Sequence, residues 1–432
     1  MHLIGHGLYN GVALPAIQLA LRAASLSNAK VRRGLEGRKG LFPRLDAALQ
    51  GLDERQPRIW IHSSSMGEFE QARPVIEALR RRYPQGLLVV SLFSPSAFDH
   101  VHHFKAADVL TYLPVDTPAN VRRFLDAVKP QVALTVRHDF WPNHLYALNR
   151  RKIPSLLING SVPYPPSLAL RLFPLANRYL YGAFDEILTV SQEAADYARS
   201  HRWGRGEVAA VGDTRYDQVL RRAREAESVV APLRAIKGRR AGLVLGSTWP
   251  ADEAVVFEAL TRIQTRGPLP FIVAAPHEPT ESHMTQLEHR AQALGLACRR
   301  LAQVEADPTA PVDMLIIDRV GILASLYALG ETAYVGGGFG QGLHNVLEPA
   351  ALGNAVLFGP RNQNSYEAQQ LKRRGVGFAS ADADAVEARL SALFGDVHEQ
   401  QVLGRRAAAL VGEHAGATDR IVERVEAWLS PR

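Results

Sequence analysis

The chain has 432 residues, 47% of them hydrophobic and 22% charged, so two folded domains are expected and a disordered or low-complexity chain is excluded. A single cysteine, Cys298, excludes an internal disulfide framework and a cysteine-based zinc site and fits a reducing compartment. Of the net charge of +7, residues 1–45 hold +6: Arg22, Lys30, Arg32, Arg33, Arg38, Lys39 and Arg44 against Glu36. The remaining body is near neutral, which argues against a nucleic-acid partner.

The first 21 residues lack Lys, Arg, Asp and Glu and run directly into that basic cluster. A secretory signal has the opposite order, and Asn10, Pro15 and Gln18 make a weak spanning helix. On a helix, Gln18, Arg22, Ser25 and Asn28 form a polar stripe opposite Ile17, Leu21 and Ala24. That pattern suits a helix lying in the interface of an anionic membrane; the alternative is a helix docked on the protein's own core. Cations after the apolar segment keep the body cytoplasmic.

From residue 59, short apolar runs alternate with helical stretches. Strands are expected at 59–64, 87–93, 109–114, 132–137, 154–160, 186–191 and 208–214, with helical segments such as 67–84 between them. A charged helix and linker follows at 217–241, and strands resume at 242–248, 270–275, 314–318, 332–337 and 355–359. Continuous apolar strands separated by helices predict an α/β protein with two doubly wound, Rossmann-like domains and a cleft between them. The divisions are a basic segment at 1–45, a first domain at 46–216, the linker helix, a second domain at 242–410, and a helix at 411–432 that packs back across the domains.

Ligands in such sheets bind beyond the carboxyl ends of the strands, and three segments there are unusual. His62–Pro74 ends a strand in small polar residues, turns at Gly67 and starts a helix with Glu68 in its first turn. Glu68 is either a charge favoured by the helix dipole or a general base. In VGGGFGQGLHNVLEPAALG, residues 335–353, glycines admit a ligand close to the backbone and the next helix offers N–H groups to a phosphate. The spacing is not a dinucleotide fingerprint, and His344, Asn345 and Glu348 project from one side of the helix start. Ser247 and Thr248 in GSTWPADE form a second phosphate cradle or an ordinary helix cap. Asp382 and Asp384 are read as a helix start, His100, His102 and His103 as a solvated face, and Trp60, Trp141 and Trp249 as packing, so no metal site is expected.

With these motifs in view, from HSSSMGEFEQARPVIE through SLFSPSAF, DFWPN, VGDTRYDQV and APHEP to GGGFGQGLHNVLEPA, the chain resembles the 3-deoxy-manno-octulosonic acid (Kdo) transferases, particularly the form of the Bacteroidetes. The resemblance implies the GT-B type, with 46–216 binding the acceptor and 242–410 the CMP-sugar, and transfer of Kdo from CMP-Kdo to a lipid A precursor (lipid IVA) in lipopolysaccharide core biosynthesis. It implies inversion at the anomeric carbon, no metal or other cofactor, and a location at the cytoplasmic face of the inner membrane. Carried over by position, it makes Glu68, beside Ser65 and Gly67, the catalytic base. It assigns Ser247, Thr248, His277, Gly337, Gly338, His344, Asn345 and Glu348 to donor binding. The chain departs from the family pattern at Arg137, where many members have a glutamate with Asp139 as the second acid, at Pro276 in place of an arginine, and at Asn159-Gly160-Ser161. The competing expectations are a related GT-B enzyme with another nucleotide sugar and a non-catalytic membrane scaffold.

Overall fold

The computed structural model describes residues 6–52, 55–162 and 174–430. The chain forms two compact units, Met1–Gln218 with Ala415–Arg432, and Val219–His414. The boundary at Gln218 falls inside one long helix, Thr214–Lys237.

In the N-terminal unit seven parallel strands are arranged β3-β2-β1-β4-β5-β6-β7. They are β1 (Arg58–Ser63), β2 (Leu87–Leu92), β3 (Val109–Tyr112), β4 (Val132–Val136), β5 (Ser155–Gly160), β6 (Glu186–Thr189) and β7 (Val208–Ala210). Ile59 pairs with Leu88 on one side and Val132 on the other, so β1 and β4 are the neighbours at which the winding reverses. Ile59, Ile61, Val90 and Leu134 are fully or almost fully buried on one face against Phe69, Val75, Ile76 and Leu79 of the helix Met66–Arg82. Ile421, Val422 and Val425 of the last helix, Ala417–Leu429, complete that core, because their i, i+1, i+4 spacing puts one apolar stripe toward the sheet. Asp217 fixes the start of this helix, accepting from Gly416 N at 2.6 Å and from Thr418 N and Oγ1 at 2.7 Å each. On the opposite face Trp60, Leu87 and Val89 pack against Leu41, Leu45, Phe124 and Leu125.

The expected strand at 208–214 is three residues long: Gly212 takes φ +94°, and Thr214 opens the long helix instead. Val219–His414 repeats the architecture with order β10-β11-β9-β8-β12-β13-β14. Its strands are β8 (Gly242–Thr248), β9 (Phe271–Pro276), β10 (Cys298–Arg300), β11 (Met314–Ile316), β12 (Thr332–Val335), β13 (Ala355–Phe358) and β14 (Gly377–Ala379). Two of them, β10 and β14, were not expected; they are three-residue strands at the two edges of the sheet, too short to show periodicity.

The amino-terminal segment is helical over Tyr9–Ala13, Leu14–Ser27, Ala29–Gly37 and Leu41–Leu49. It docks on its own unit: Tyr9 donates to Asp116 at 2.9 Å, Asn10 and Asn143 exchange hydrogen bonds, and Leu14 is buried. Among the described residues no helix is long and apolar enough to cross a membrane. The expected apolar face is corrected. Ile17 is exposed, but Leu21 and Ala24 are half-buried, while Leu8, Val12, Leu19 and Leu26 are 61 to 84% exposed. Their spacing of four, seven and seven residues lines them up along one side. Docking through Tyr9 and Leu14 sets the rotation of the helix, and that leaves these four outward. The basic cluster is also thinner than the sequence implies. Arg38 turns inward, donating to Leu113 O, Gly34 O and Phe93 O at 2.7 to 2.9 Å.

Candidate active site

In each unit the segments singled out from sequence converge on the switch point of the sheet, β1/β4 in the first and β8/β12 in the second. There, neighbouring connections leave in opposite directions and open a crevice.

At the end of β1 the chain turns through Ser64 and Ser65 into the helix Met66–Arg82, with Ser65 extended at its N-cap. Ser65 leaves the cap N–H groups alone and turns its hydroxyl, with that of Ser64, toward Glu68: both donate to Oε2, Ser64 at 3.1 Å. Two charge-assisted bonds hold the half-buried carboxylate in one place. Gly67 is exposed, and a Cβ there would meet only Ser65 Oγ at 3.7 Å, so it leaves the approach to Glu68 open.

Beside this turn, Arg137, His138 and Asp139 follow β4. Asp139 accepts from His62 Nε2 at 2.7 Å and from Trp141 Nε1 at 3.0 Å. Ser91 Oγ accepts from Trp60 Nε1 at 2.8 Å and lies 2.9 Å from His62 Nδ1, to which it can donate. Burial pushes the Asp139 carboxyl up, but the His62 bond and charge, Trp141 and Arg38 together bring it below the ordinary range. The His138 ring lies 3.0 Å from Tyr181 OH and 3.2 Å from Ser161 Oγ. Although the residue is exposed, desolvation by the protein around it and then Arg137 push it down to about 4, against the opposing pull of Glu68. His138 is therefore a neutral imidazole near pH 7. Sequence reasoning missed His62 and His138; the only signal was their position at the ends of β1 and β4.

In the second unit the ends of β8 and β12 approach so closely that a Cβ on Gly336 would lie 2.3 Å from Ser247 O and 2.5 Å from Thr248 Cα. Ser247 takes φ +52° at the irregularity where β8 slips against β9. Several expected ligand contacts are used internally instead. Thr248 is buried and donates to Glu253 Oε1 at 2.7 Å; Glu253 also holds His283 at 2.9 Å. Gly337, at φ +91°, gives its N–H to Asp252 Oδ2 at 2.9 Å, and Asp252 also accepts from Trp249 N at 3.0 Å. Gly338 packs against Gly359, where a Cβ would come within 2.6 Å. The loop's glycines thus serve chain-to-chain approach as much as access.

What faces outward is a group of rings. His277 and His344 stack at 4.4 Å, Trp249 lies 4.7 Å from His277, and Trp249 Nε1 donates to His344 Nε2 at 3.1 Å. The acceptor role of Nε2 puts the neutral ring's proton on Nδ1. Burial, then His277, lowers the His344 pKa against the pull of Asp252. Trp249, expected to be packing, is part of this surface.

The helix expected directly after the glycines is displaced and short, Leu347–Ala351. His344 and exposed Asn345 precede it, and Asn345 Oδ1 caps it by accepting from Leu347 N at 3.0 Å. Five residues make a weak phosphate cradle. Glu348 accepts from Arg222 at 3.1 Å, and both line a cavity of about 610 Å³ with Gly321 and Ser325. Arg222 and Ser325 were not anticipated, because only folding brings them beside Glu348. Asp382 caps its helix by accepting from Ala385 N at 2.9 Å, and Asp384 pairs with Arg262, as the helix-start reading expects.

Two doubly wound α/β units, each with its polar residues gathered at the switch point, define the GT-B class of folds. Solved structures agree on the fold: the UDP-GlcNAc 2-epimerase of Neisseria meningitidis superposes with a TM-score of 0.60 at 12% identity, covering 85% of this chain and 99% of that one. A glycosyltransferase from Rickettsia africae gives 0.54 at 11% identity, covering 87% and 99%. Within that class the chain is a relative of the Kdo transferases, as its motifs led one to expect. Residues 33–218 match the family described as 3-deoxy-D-manno-octulosonic-acid transferase. The transferase of that name from Bordetella pertussis is 28% identical over 381 residues, 86% of this chain and 87% of that one. The one from Aquifex aeolicus is 26% identical, over 82% and 90%.

Proposed function

We propose that this protein transfers Kdo from CMP-Kdo to a lipid A precursor, lipid IVA, in lipopolysaccharide core biosynthesis. The observation that carries the reading is the Glu68 carboxylate, oriented by Ser64 and Ser65 at the end of β1, in a chain related to Kdo transferases. Glu68 removes the proton from an acceptor hydroxyl as that oxygen attacks the anomeric carbon; the C–O bond to CMP breaks with its electron pair leaving on the phosphate, and the centre inverts. Ser247, His277, His344 and Trp249, with Glu348 and Arg222, form the donor-binding surface of the C-terminal unit. Developing charge is met by fixed dipoles and side chains, without a metal. The outward stripe of Leu8, Val12, Leu19 and Leu26, with exposed Arg22, Lys30, Arg32 and Lys39 alongside, supports attachment to the anionic cytoplasmic face of the inner membrane.

The test is incubation of the protein with CMP-Kdo and lipid IVA, followed by product masses. A mass increase of Kdo that persists in excess EDTA is expected. No transfer, or melting protected by UDP and not by CMP, rejects the assignment. Loss of activity in EDTA that magnesium restores rejects the metal-free part alone.

A further inference from the structure

Among the described residues, six that are not glycine adopt positive φ: Lys129, Arg137, Lys152, Asn159, Arg202 and Ser247. For most, the fold supplies the reason. Lys129 is a helix C-cap, and Lys152 and Arg202 close turns that follow helices. Asn159 exchanges hydrogen bonds with Thr214, at 2.8 and 3.2 Å. Ser247 sits at the irregular end of β8, against Gly336. Arg137, at φ +61° on the end of β4, has no such reason. Its N–H continues the ladder to Ile158 O at 3.0 Å, but its side chain has no hydrogen-bond or ion-pair partner among the described residues. Its Nε is buried and unsatisfied.

A strained backbone and an unpaired buried guanidinium N–H are each unfavourable by themselves, and their coincidence at one residue marks a group held ready for a ligand. Arg137 follows β4 and Glu68 follows β1, its paired parallel neighbour, so both stand at the switch point, with His138 next in the chain. His138, neutral and already bonded to Tyr181 and Ser161, does not compete for the ligand.

A guanidinium recognises carboxylate or phosphate through paired N–H donors. Resting on the functional reading above, the reacting carbon of a 2-ulosonic acid bears its carboxylate directly. A base that serves the oxygen attacking this carbon therefore works within a few ångströms of the carboxylate. We propose that Arg137 binds the carboxylate of the transferred sugar acid in the N-terminal unit and sets donor specificity.

The experiment compares wild type, Arg137→Gln, Arg137→Lys and Arg137→Gly in steady-state kinetics, CMP calorimetry and thermal melting. Loss of a charge-assisted bond raises the KM for CMP-Kdo about ten- to a hundredfold in Arg137→Gln, with CMP affinity and acceptor KM unchanged; Arg137→Lys recovers part of it. Arg137→Gly shows the same donor KM and melts higher than wild type, because glycine adopts φ +61° without strain. An unchanged donor KM in both Arg137→Gln and Arg137→Gly, or a rise confined to the acceptor, overturns the proposal. If the wild type turns over no CMP-Kdo, the functional reading fails on its own. Arg137 is then judged by whether free Kdo raises the melting temperature of wild type and not of Arg137→Gln; equal shifts overturn it.

Discussion

The two switch points are built from different materials. At β1/β4 the crevice is lined by titratable side chains: Glu68 between two serine hydroxyls, a neutral His138, and an Asp139 carboxylate whose charge His62 and Trp141 maintain. At β8/β12 the carboxylates Asp252 and Glu253 are buried and used to bind one loop to the next, leaving glycine backbone and aromatic rings at the surface. One fold thus places titratable side chains at the switch point of one unit and backbone and rings at that of the other. The division lies in which groups are already bonded within the protein and which are left for a substrate.

The sharpest break of that comparison is Glu68→Gln. A general base contributes roughly 100- to 10,000-fold in rate, so turnover should fall by that factor while CMP affinity by calorimetry stays unchanged. A residual rate above about a tenth of wild type would remove Glu68 from the chemistry. In the other unit the largest effect is on packing. Gly336→Ala puts a Cβ inside contact distance of Ser247 O and Thr248 Cα and should lower unfolding stability by about 1–3 kcal/mol in denaturant titration. Gly340→Ala, which meets nothing within 4 Å, should change stability far less. Equal effects would mean that the loop relaxes and that the close approach does not shape it.

Glu348→Ala should weaken CMP about tenfold in calorimetry without changing kcat at saturation, since it removes an ionic hydrogen-bonding group from the cavity it shares with Arg222. A fall in kcat with CMP affinity intact would place it with the chemistry instead.

The smallest effect is a pH dependence. The fold holds His138 at about 4, below its ordinary 6.5, so folding favours the neutral ring. That contribution is complete above pH 6.5 and is lost as pH falls toward 4. The melting temperature of His138→Gln should therefore drop less than that of wild type across this interval. Parallel curves would show that His138 does not carry the difference.

Much of this was legible in the residues. Apolar runs such as LLVVSL at Leu87–Leu92 and AVLF at Ala355–Phe358 can be satisfied only by burial on both faces, and Ser-Ser-Met-Gly-Glu after β1 marks a strand-to-helix turn with an acid in its first turn. Local periodicity and turn chemistry determine these, because they depend on neighbours a few residues away. The rotation of the amino-terminal helix, which leaves Leu8, Val12, Leu19 and Leu26 outward, depends on Tyr9 meeting Asp116, 107 residues along the chain. Thr248 and the Gly337 N–H turned out to be committed within the fold, and Trp249 joined the ring surface, through contacts with Glu253, Asp252 and His344. Residue type and spacing determine which groups can do chemistry. Only long-range packing decides which of them remain unbonded, since a buried donor or acceptor takes its partner from whatever segment the fold brings beside it.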